Sequence, residues 1–281
     1  VTRGQVPAQK GRTMETADRK ADRKSIGSWE RAKRNGERRA LITAYDYPFA
    51  KLAEAAGIDG ILIGDSLGMT VQGERDTLRV TLEQMVYHTG MVARGAPSCL
   101  IMADLPFGSF ETGPTQAFAS AAQLLKAGAD IIKLEGGAAM VETVGFLSAR
   151  AVPVCAHIGL TPQHVRQLGG FRKQGKTEDA AARMIEEAGA LAEAGARMVL
   201  MEAIPAGLGA EITKRVRVPT IGIGAGNGTD AQILVMHDVL GLTGGYVPGF
   251  AKVYVDGARV VREAIGAYAE EVRAGAFPPA E

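Results

Sequence analysis

The sequence predicts an α/β fold, specifically a (β/α)8 TIM barrel, and three observations carry that prediction. From Arg39 onward, short β-rich apolar runs alternate with longer segments of helical spacing. Most of the runs are apolar on both faces, as strands of a parallel sheet covered on each side must be, and parallel strands require crossover helices. A weak repeat recurs in which a glycine ends a helix, a strand runs, and an acidic side chain stands at its far end: Gly128 leads to Glu135 and Gly195 to Glu202. Repeated βα units produce this pattern, and eight strands within about 200 residues favour one barrel over a doubly wound open sheet.

The predicted strands, in order, are Leu41 to Asp46, Gly60 to Asp65, Cys99 to Leu105, Ile131 to Glu135, Val152 to His157, Met198 to Ile204, Thr220 to Gly224 and Ile233 to Val239. Between the second and third, Thr81-Leu82-Glu83-Gln84 reads as a capping box, followed by Met85, Val86, Val92 and Ala93 on one side of a helix. Thr115 opens another helix that ends near Gly128, and Thr161-Pro162 starts a further one. Helix ends are assigned to Gly57, Gly95, Gly128 and Gly195. Residues 1–24 lack apolar periodicity and read as a mobile basic tail; 25–281 read as a single barrel domain.

The chain has 281 residues, 46% hydrophobic and 22% charged, with a formal net charge of +1. That excludes a disordered or collagen-like chain and gives no overall basicity for a nucleic-acid partner. No apolar stretch reaches the roughly 20 residues of a membrane span, and the N-terminus lacks a signal peptide's apolar segment. Cys99 and Cys155 lie in apolar runs without CxxC spacing and read as two buried thiols in a reducing compartment. Together these point to a soluble cytoplasmic protein.

Asp46, Asp65, Asp104, Glu135 and Glu202 each close a separate predicted strand, so barrel closure gathers them at one mouth. Any one of them alone is an ordinary helix cap or loop ion pair. Five carboxylates in one pocket need a cation, a base or shared protons, and an oxygen-rich set prefers a hard ion such as Mg²⁺. Asp65 and Asp104 are the expected Mg²⁺ ligands, with Glu135 in contact through water. Lys133 shares a strand face with Glu135; it reads as an ion-pair partner, a binder of a substrate carboxylate, or a Schiff-base former. His157 reads as a structural residue or as one that hydrogen-bonds substrate or moves a proton. Gly222, Gly224, Gly226 and Gly228 form a ladder better explained by close backbone packing than by a phosphate cradle. Gly169 to Thr177 reads as a lid or a plain surface loop.

Six blocks, in order, resemble the ketopantoate hydroxymethyltransferase family: Thr43-Ala44-Tyr45-Asp46, Gly64-Asp65-Ser66-Leu67-Gly68-Met69, Met102-Ala103-Asp104-Leu105-Pro106-Phe107, Lys133-Leu134-Glu135-Gly136-Gly137, His157-Ile158-Gly159-Leu160-Thr161-Pro162-Gln163 and Gly222-Ile223-Gly224-Ala225-Gly226. The resemblance spans about Ser25 to Arg273 and departs at Pro248-Gly249-Phe250, where relatives often place a basic residue before the phenylalanine. It implies a Mg²⁺-dependent barrel enzyme that moves a one-carbon unit from 5,10-methylenetetrahydrofolate to 3-methyl-2-oxobutanoate, giving 2-dehydropantoate for pantothenate biosynthesis. It further implies Mg²⁺ on Asp65 and Asp104, the keto acid on Ser66 and Lys133, Glu202 as the base that takes the C3 proton, and a homodecamer of two pentamers. The competing readings are a Mg²⁺-dependent C–C lyase or phosphoenolpyruvate mutase-like enzyme, a Schiff-base aldolase using Lys133, and a non-catalytic barrel that binds a small acid.

Overall fold

The structure, a computed structural model, describes residues 24–243 and 247–279. Eight parallel strands close into a barrel in sequence order: β1 Arg39–Thr43, β2 Gly60–Ile63, β3 Leu100–Asp104, β4 Ile131–Glu135, β5 Val154–Gly159, β6 Met198–Glu202, β7 Thr220–Ile223 and β8 Ala231–Leu234. The helices are α1 Ile26–Asn35, α2 Tyr47–Ala55, α3 Leu67–Thr70, α4 Leu82–Gly95, α5 Pro114–Ala127, α6 Val141–Ser148, α7 Val165–Leu168, α8 Glu178–Glu193, α9 Ala206–Arg215, α10 Met236–Val239 and α11 Gly257–Arg273. The predicted TIM barrel is therefore the observed fold. The basic tail read at residues 1–24 lies outside the described residues apart from Lys24, whose ammonium stands 3.0 Å from Asp59 Oδ1. Among the described residues no helix is long and apolar enough to cross a membrane.

Strand alternation sorts the side chains into two apolar layers. On β4, Ile132 and Leu134 join the layer under the helices, while Ile131 joins Leu62, Leu100, Met102, Cys155, Met198 and Leu200 inside the barrel. Counting by twos up each strand from that inner layer arrives at Asp104, Lys133 then Glu135, His157 and Glu202. The barrel's upper layer is thus polar because the sequence switches residue type at the last inward positions. At the opposite end α1 inserts Trp29, 1% exposed, against Gly60 and Leu41, so the interior is filled rather than open.

Several boundaries differ from the sequence reading, each for a local reason. The first strand ends at Thr43, and Asp46 caps α2 instead of closing a strand: its carboxylate accepts the Phe49 N–H at 2.8 Å. Asp46 is thereby removed from the acidic group at the mouth. The eighth strand is Ala231–Leu234, not Ile233 to Val239, because Met236 N–H leaves the ladder to bond Thr43 Oγ1 at 3.1 Å and α10 begins there. The fifth strand runs through to Gly159, the sixth stops at Glu202, and the helix expected from Thr115 starts at Pro114. The Thr81–Gln84 capping box is present and starts α4. Gly95 is the last residue of α4 rather than a left-handed terminator; a side chain there would collide with Tyr47 O at 2.7 Å, so α2 and α4 touch through it.

Candidate active site

A cavity of about 840 Å³ opens at the carboxyl ends of the strands, and Asp65, Ser66, Asp104, Lys133, Glu135, His157 and Glu202 all line it. Sheet register explains the neighbours: Asp104 pairs with Lys133, and Glu135 with His157, on adjacent strands. Lys133 Nζ lies 2.9 Å from Asp104 Oδ1 and 3.9 Å from Glu135 Oε1, with all three side chains nearly fully buried. His157 stands between two carboxylates, Nδ1 3.4 Å from Glu135 Oε1 and Nε2 3.4 Å from Glu202 Oε2. Glu202, on β6, is the most open of these acids. The chain turns sharply after it, with Ala203 at φ 47°.

Burial and charge act in opposite directions across this set. Burial first, then Asp104 and Glu135, hold the Asp65 carboxyl well above the usual carboxylate range. Burial also raises Asp104, against the pull of Lys133. Burial alone would lower Lys133, but Asp104, Glu135 and Asp65 outweigh it and keep the ammonium firmly charged. Burial pushes Glu135 up, yet His157, Lys133 and the Gln163 N–H together bring it below its ordinary value. His157 is pushed down by burial and by Lys133, whose Nζ is 3.2 Å from Nδ1, but Glu135 and Glu202 lift it to about 9. The lift prevails because carboxylates outnumber cations around the ring and the closest contact of Lys133 is with Asp104.

Two residues without an assigned role in the sequence organise these groups. Gln163 follows the Pro162 turn, is 4% exposed, and its Nε2 donates to both Asp65 Oδ2 and Leu105 O at 2.9 Å. Its backbone N–H donates to Glu135 Oε2 at 2.9 Å. The Tyr45 hydroxyl, buried, shares a 2.9 Å hydrogen bond with Ser66 Oγ. Both lie in the family-like blocks, but the reach of a side chain across strands is written in tertiary structure, not spacing. The glycine ladder packs: a Cβ at Gly226 would lie 2.4 Å from Ala206 Cβ, and one at Gly228 2.6 Å from Ala210 Cβ. Phe171 and Lys173 of the Gly169 to Thr177 loop line the cavity.

The residues present fit a hard divalent cation. Asp104 Oδ1 is met by Lys133, and Glu135 Oε1 by His157 and Lys133, at ion-pair distance, yet the buried group still carries more carboxylates than cations. Among the described residues no set of three or more His, Cys, Asp and Glu is arranged to hold a metal. Mg²⁺ does not need one, since one or two carboxylates suffice when waters and substrate oxygens complete the octahedron. Asp65 and Asp104, linked by the Asp65 N–H to Asp104 Oδ2 bond of 3.1 Å, supply that pair. Glu135 is engaged by Gln163, Lys133 and His157, which leaves it an outer position.

Known proteins share the fold and the sequence. A phosphonopyruvate hydrolase, solved in complex with oxalate and Mg²⁺, aligns with a TM-score of 0.59 at 16% identity, covering 92% of this chain and 90% of its own. A 2,3-dimethylmalate lyase aligns with a TM-score of 0.56 at 17% identity, covering 91% and 90%. At such identities the likeness is one of fold. The 3-methyl-2-oxobutanoate hydroxymethyltransferase of Acidithiobacillus ferrooxidans is 59% identical over 256 residues, 91% of this chain and 98% of that protein. That of Nitrosomonas europaea is 51% identical over 261 residues, 93% and 97% respectively. The family model for ketopantoate hydroxymethyltransferase matches residues 23–280. The chain belongs to the ketopantoate hydroxymethyltransferase family and is a transferase enzyme.

Proposed function

We propose that the protein is a Mg²⁺-dependent, cytoplasmic 3-methyl-2-oxobutanoate hydroxymethyltransferase that uses 5,10-methylenetetrahydrofolate and supplies 2-dehydropantoate to pantothenate biosynthesis. The observation that carries this reading is the set at one cavity, buried Asp65, Asp104, Lys133, Glu135 and His157 with half-buried Glu202 beside them, in which carboxylates outnumber cations. Asp65 and Asp104 would hold Mg²⁺. When bound, the ion supplies Lewis-acid stabilisation of the negative charge that develops on the keto oxygen as C3 loses its proton. Ser66, oriented by Tyr45, and the charged Lys133 bind the substrate carboxylate.

Glu202 is the base. It lies across the mouth from Asp65 and Asp104, on a strand of its own, and retains solvent contact through which a proton can leave. His157, positively charged between Glu135 and Glu202, keeps the Glu202 carboxylate oriented until substrate arrives. Overall the keto acid loses its C3 proton and gains a C–C bond to the one-carbon unit, one water is consumed, and tetrahydrofolate is released. Val261, Ile265, Tyr268 and Val272 form an exposed stripe at spacings of four, three and four along α11, which supports a homo-oligomer, a decamer by family resemblance.

The test follows the C3 proton of 3-methyl-2-oxobutanoate by NMR in D2O, with Mg²⁺ or EDTA and with Glu202→Gln. Exchange that needs Mg²⁺ and vanishes in the variant, followed by 2-dehydropantoate once methylenetetrahydrofolate is added, is the expected result. A folded protein that yields neither exchange nor product under any of these conditions overturns the reading in favour of a lyase.

A further inference from the structure

Across the mouth from the keto-acid groups stands a carboxylate that the mechanism does not use. Asp238, on α10 just beyond β8, is 8% exposed and lines the cavity, and its carboxylate has no hydrogen-bond or ion-pair partner among the described residues. In the closed strand order β8 lies opposite β4, the strand of Lys133 and Glu135. Val235, Leu242, Ile223 and Phe250, from β7, β8 and the segments that follow them, add apolar surface to the same cavity. The Phe250 ring rests against Gly224, where a Cβ would be only 2.8 Å from it, so the absence of a side chain there makes room for a flat aromatic wall.

The cavity leaves room for a second occupant beside the keto acid. About 840 Å³ is a volume for a drug-sized ligand, far larger than a five-carbon acid. The second occupant must be flat, mostly apolar, and able to offer paired donors to one carboxylate. A lone carboxylate with no further ligand around it is not a cation site. The 2-amino-4-oxopyrimidine half of a pterin meets the description, because its ring N–H and exocyclic amine point in parallel at the spacing of two carboxylate oxygens. We infer that Asp238 binds that edge of the folate cosubstrate, with the pterin lying on Phe250. The inference rests on the proposed reading that a reduced folate is the one-carbon donor.

The placement suits the chemistry. The one-carbon unit is carried on the pyrazine side of the pterin, away from the edge that Asp238 holds. A pterin anchored at β8 therefore directs its reactive side back toward the substrate on β2 to β6. Burial, with nothing to offset it, holds the Asp238 carboxyl above its ordinary value, and paired N–H donors would relieve that penalty.

The test measures binding of tetrahydrofolate to the Mg²⁺- and keto-acid-loaded protein by calorimetry, beside its 2-desamino-2-methyl analogue. The unmutated protein should bind the analogue about tenfold to a hundredfold more weakly, the range for a lost hydrogen bond to a charged group. Asp238→Asn should weaken tetrahydrofolate by a similar factor and no longer distinguish the two ligands, the signature of direct contact in a double-mutant cycle. Its KM for methylenetetrahydrofolate should rise while its KM for the keto acid changes by less than about twofold. Equal affinity of the unmutated protein for both ligands, or undiminished tetrahydrofolate binding in the variant, overturns the Asp238 assignment alone. Failure of the unmutated protein to bind tetrahydrofolate at all overturns the folate reading and this assignment with it.

Discussion

Gln163 Nε2 donates to Asp65 Oδ2 at 2.9 Å, joining two residues 98 positions apart. The same nitrogen donates to Leu105 O just beyond β3, so one carboxamide ties β2, β3 and the turn after β5 together around the proposed metal ligands. Outer partners of this type orient a ligand and restrict its rotamers, and their loss typically costs about tenfold to a hundredfold in metal affinity. Gln163→Leu is expected to weaken Mg²⁺ binding by that factor in calorimetry. It should also lower unfolding free energy by about 1–3 kcal/mol, since two buried acceptors lose their donor.

Asp65 supplies a pH signature. Its folded pKa lies above the unfolded value of 3.8, so the native state retains a proton the unfolded chain gives up. The stability this contributes is complete below 3.8 and is lost as pH rises through the raised folded value. Metal-free protein should therefore lose stability on that rise, and Asp65→Asn should flatten the loss. Mg²⁺ must displace the proton, so its affinity should increase with pH and its binding should release protons, read as a buffer-dependent calorimetric heat.

Lys133 separates the proposed chemistry from a Schiff-base aldolase. Surrounded by Asp104, Glu135 and Asp65, its amine stays protonated and cannot attack a carbonyl at neutral pH. Borohydride treatment with 3-methyl-2-oxobutanoate should leave the intact mass unchanged; a reduced adduct on Lys133 would reverse the assignment.

The two thiols should be inert in the folded protein. Burial pushes both Cys99 and Cys155 up to about 12 from an ordinary value of 9.0. A thiol reagent at pH 8 should label neither until denaturant is added. Above pH 9 the unfolded thiols ionise while the native ones do not, so these two groups destabilise the fold progressively between 9 and 12.

Trp29 tests whether the two barrel ends are independent. Trp29→Ala should cost about 3–5 kcal/mol in chemical denaturation, the usual loss for a buried tryptophan. Because Trp29 seals the end opposite the cavity, both substrate KM values should change little in the protein that remains folded.

The strands and most of the cavity's polar groups were legible because both-face burial leaves apolar runs, and a residue that breaks such a run at its end is conspicuous. Asp104, Glu135 and Glu202 each end an observed strand, and Asp65 follows one closely. Asp46 shows the limit: an acid after an apolar run can end a strand or cap the next helix, and only the Phe49 N–H decides which. The stretch from Ile233 to Val239 failed similarly, since a short apolar run suits strand and helix alike until Met236 N–H turns to Thr43. Gln163 and Asp238 left no periodic trace. Their significance comes from which other strands their side chains reach or face after closure.

The ring is sealed by pairing between β1 and β8, where Arg39 meets Ala231 across most of the chain. Joining such distant segments carries a large loop-closure entropy and makes this contact a slow one to form. Asp65, Ser66, Asp104, Lys133, Glu135 and His157 lie in the first five strands or directly after them, while Glu202 and Asp238 come later in the chain. A growing chain thus assembles the carboxylate-rich half before the half that carries the proposed base. Until the seam closes, repulsion among those acids faces water instead of a dry pocket. A cation held by Asp65 and Asp104, as proposed, would offset that repulsion and favour the folded barrel over the unfolded chain.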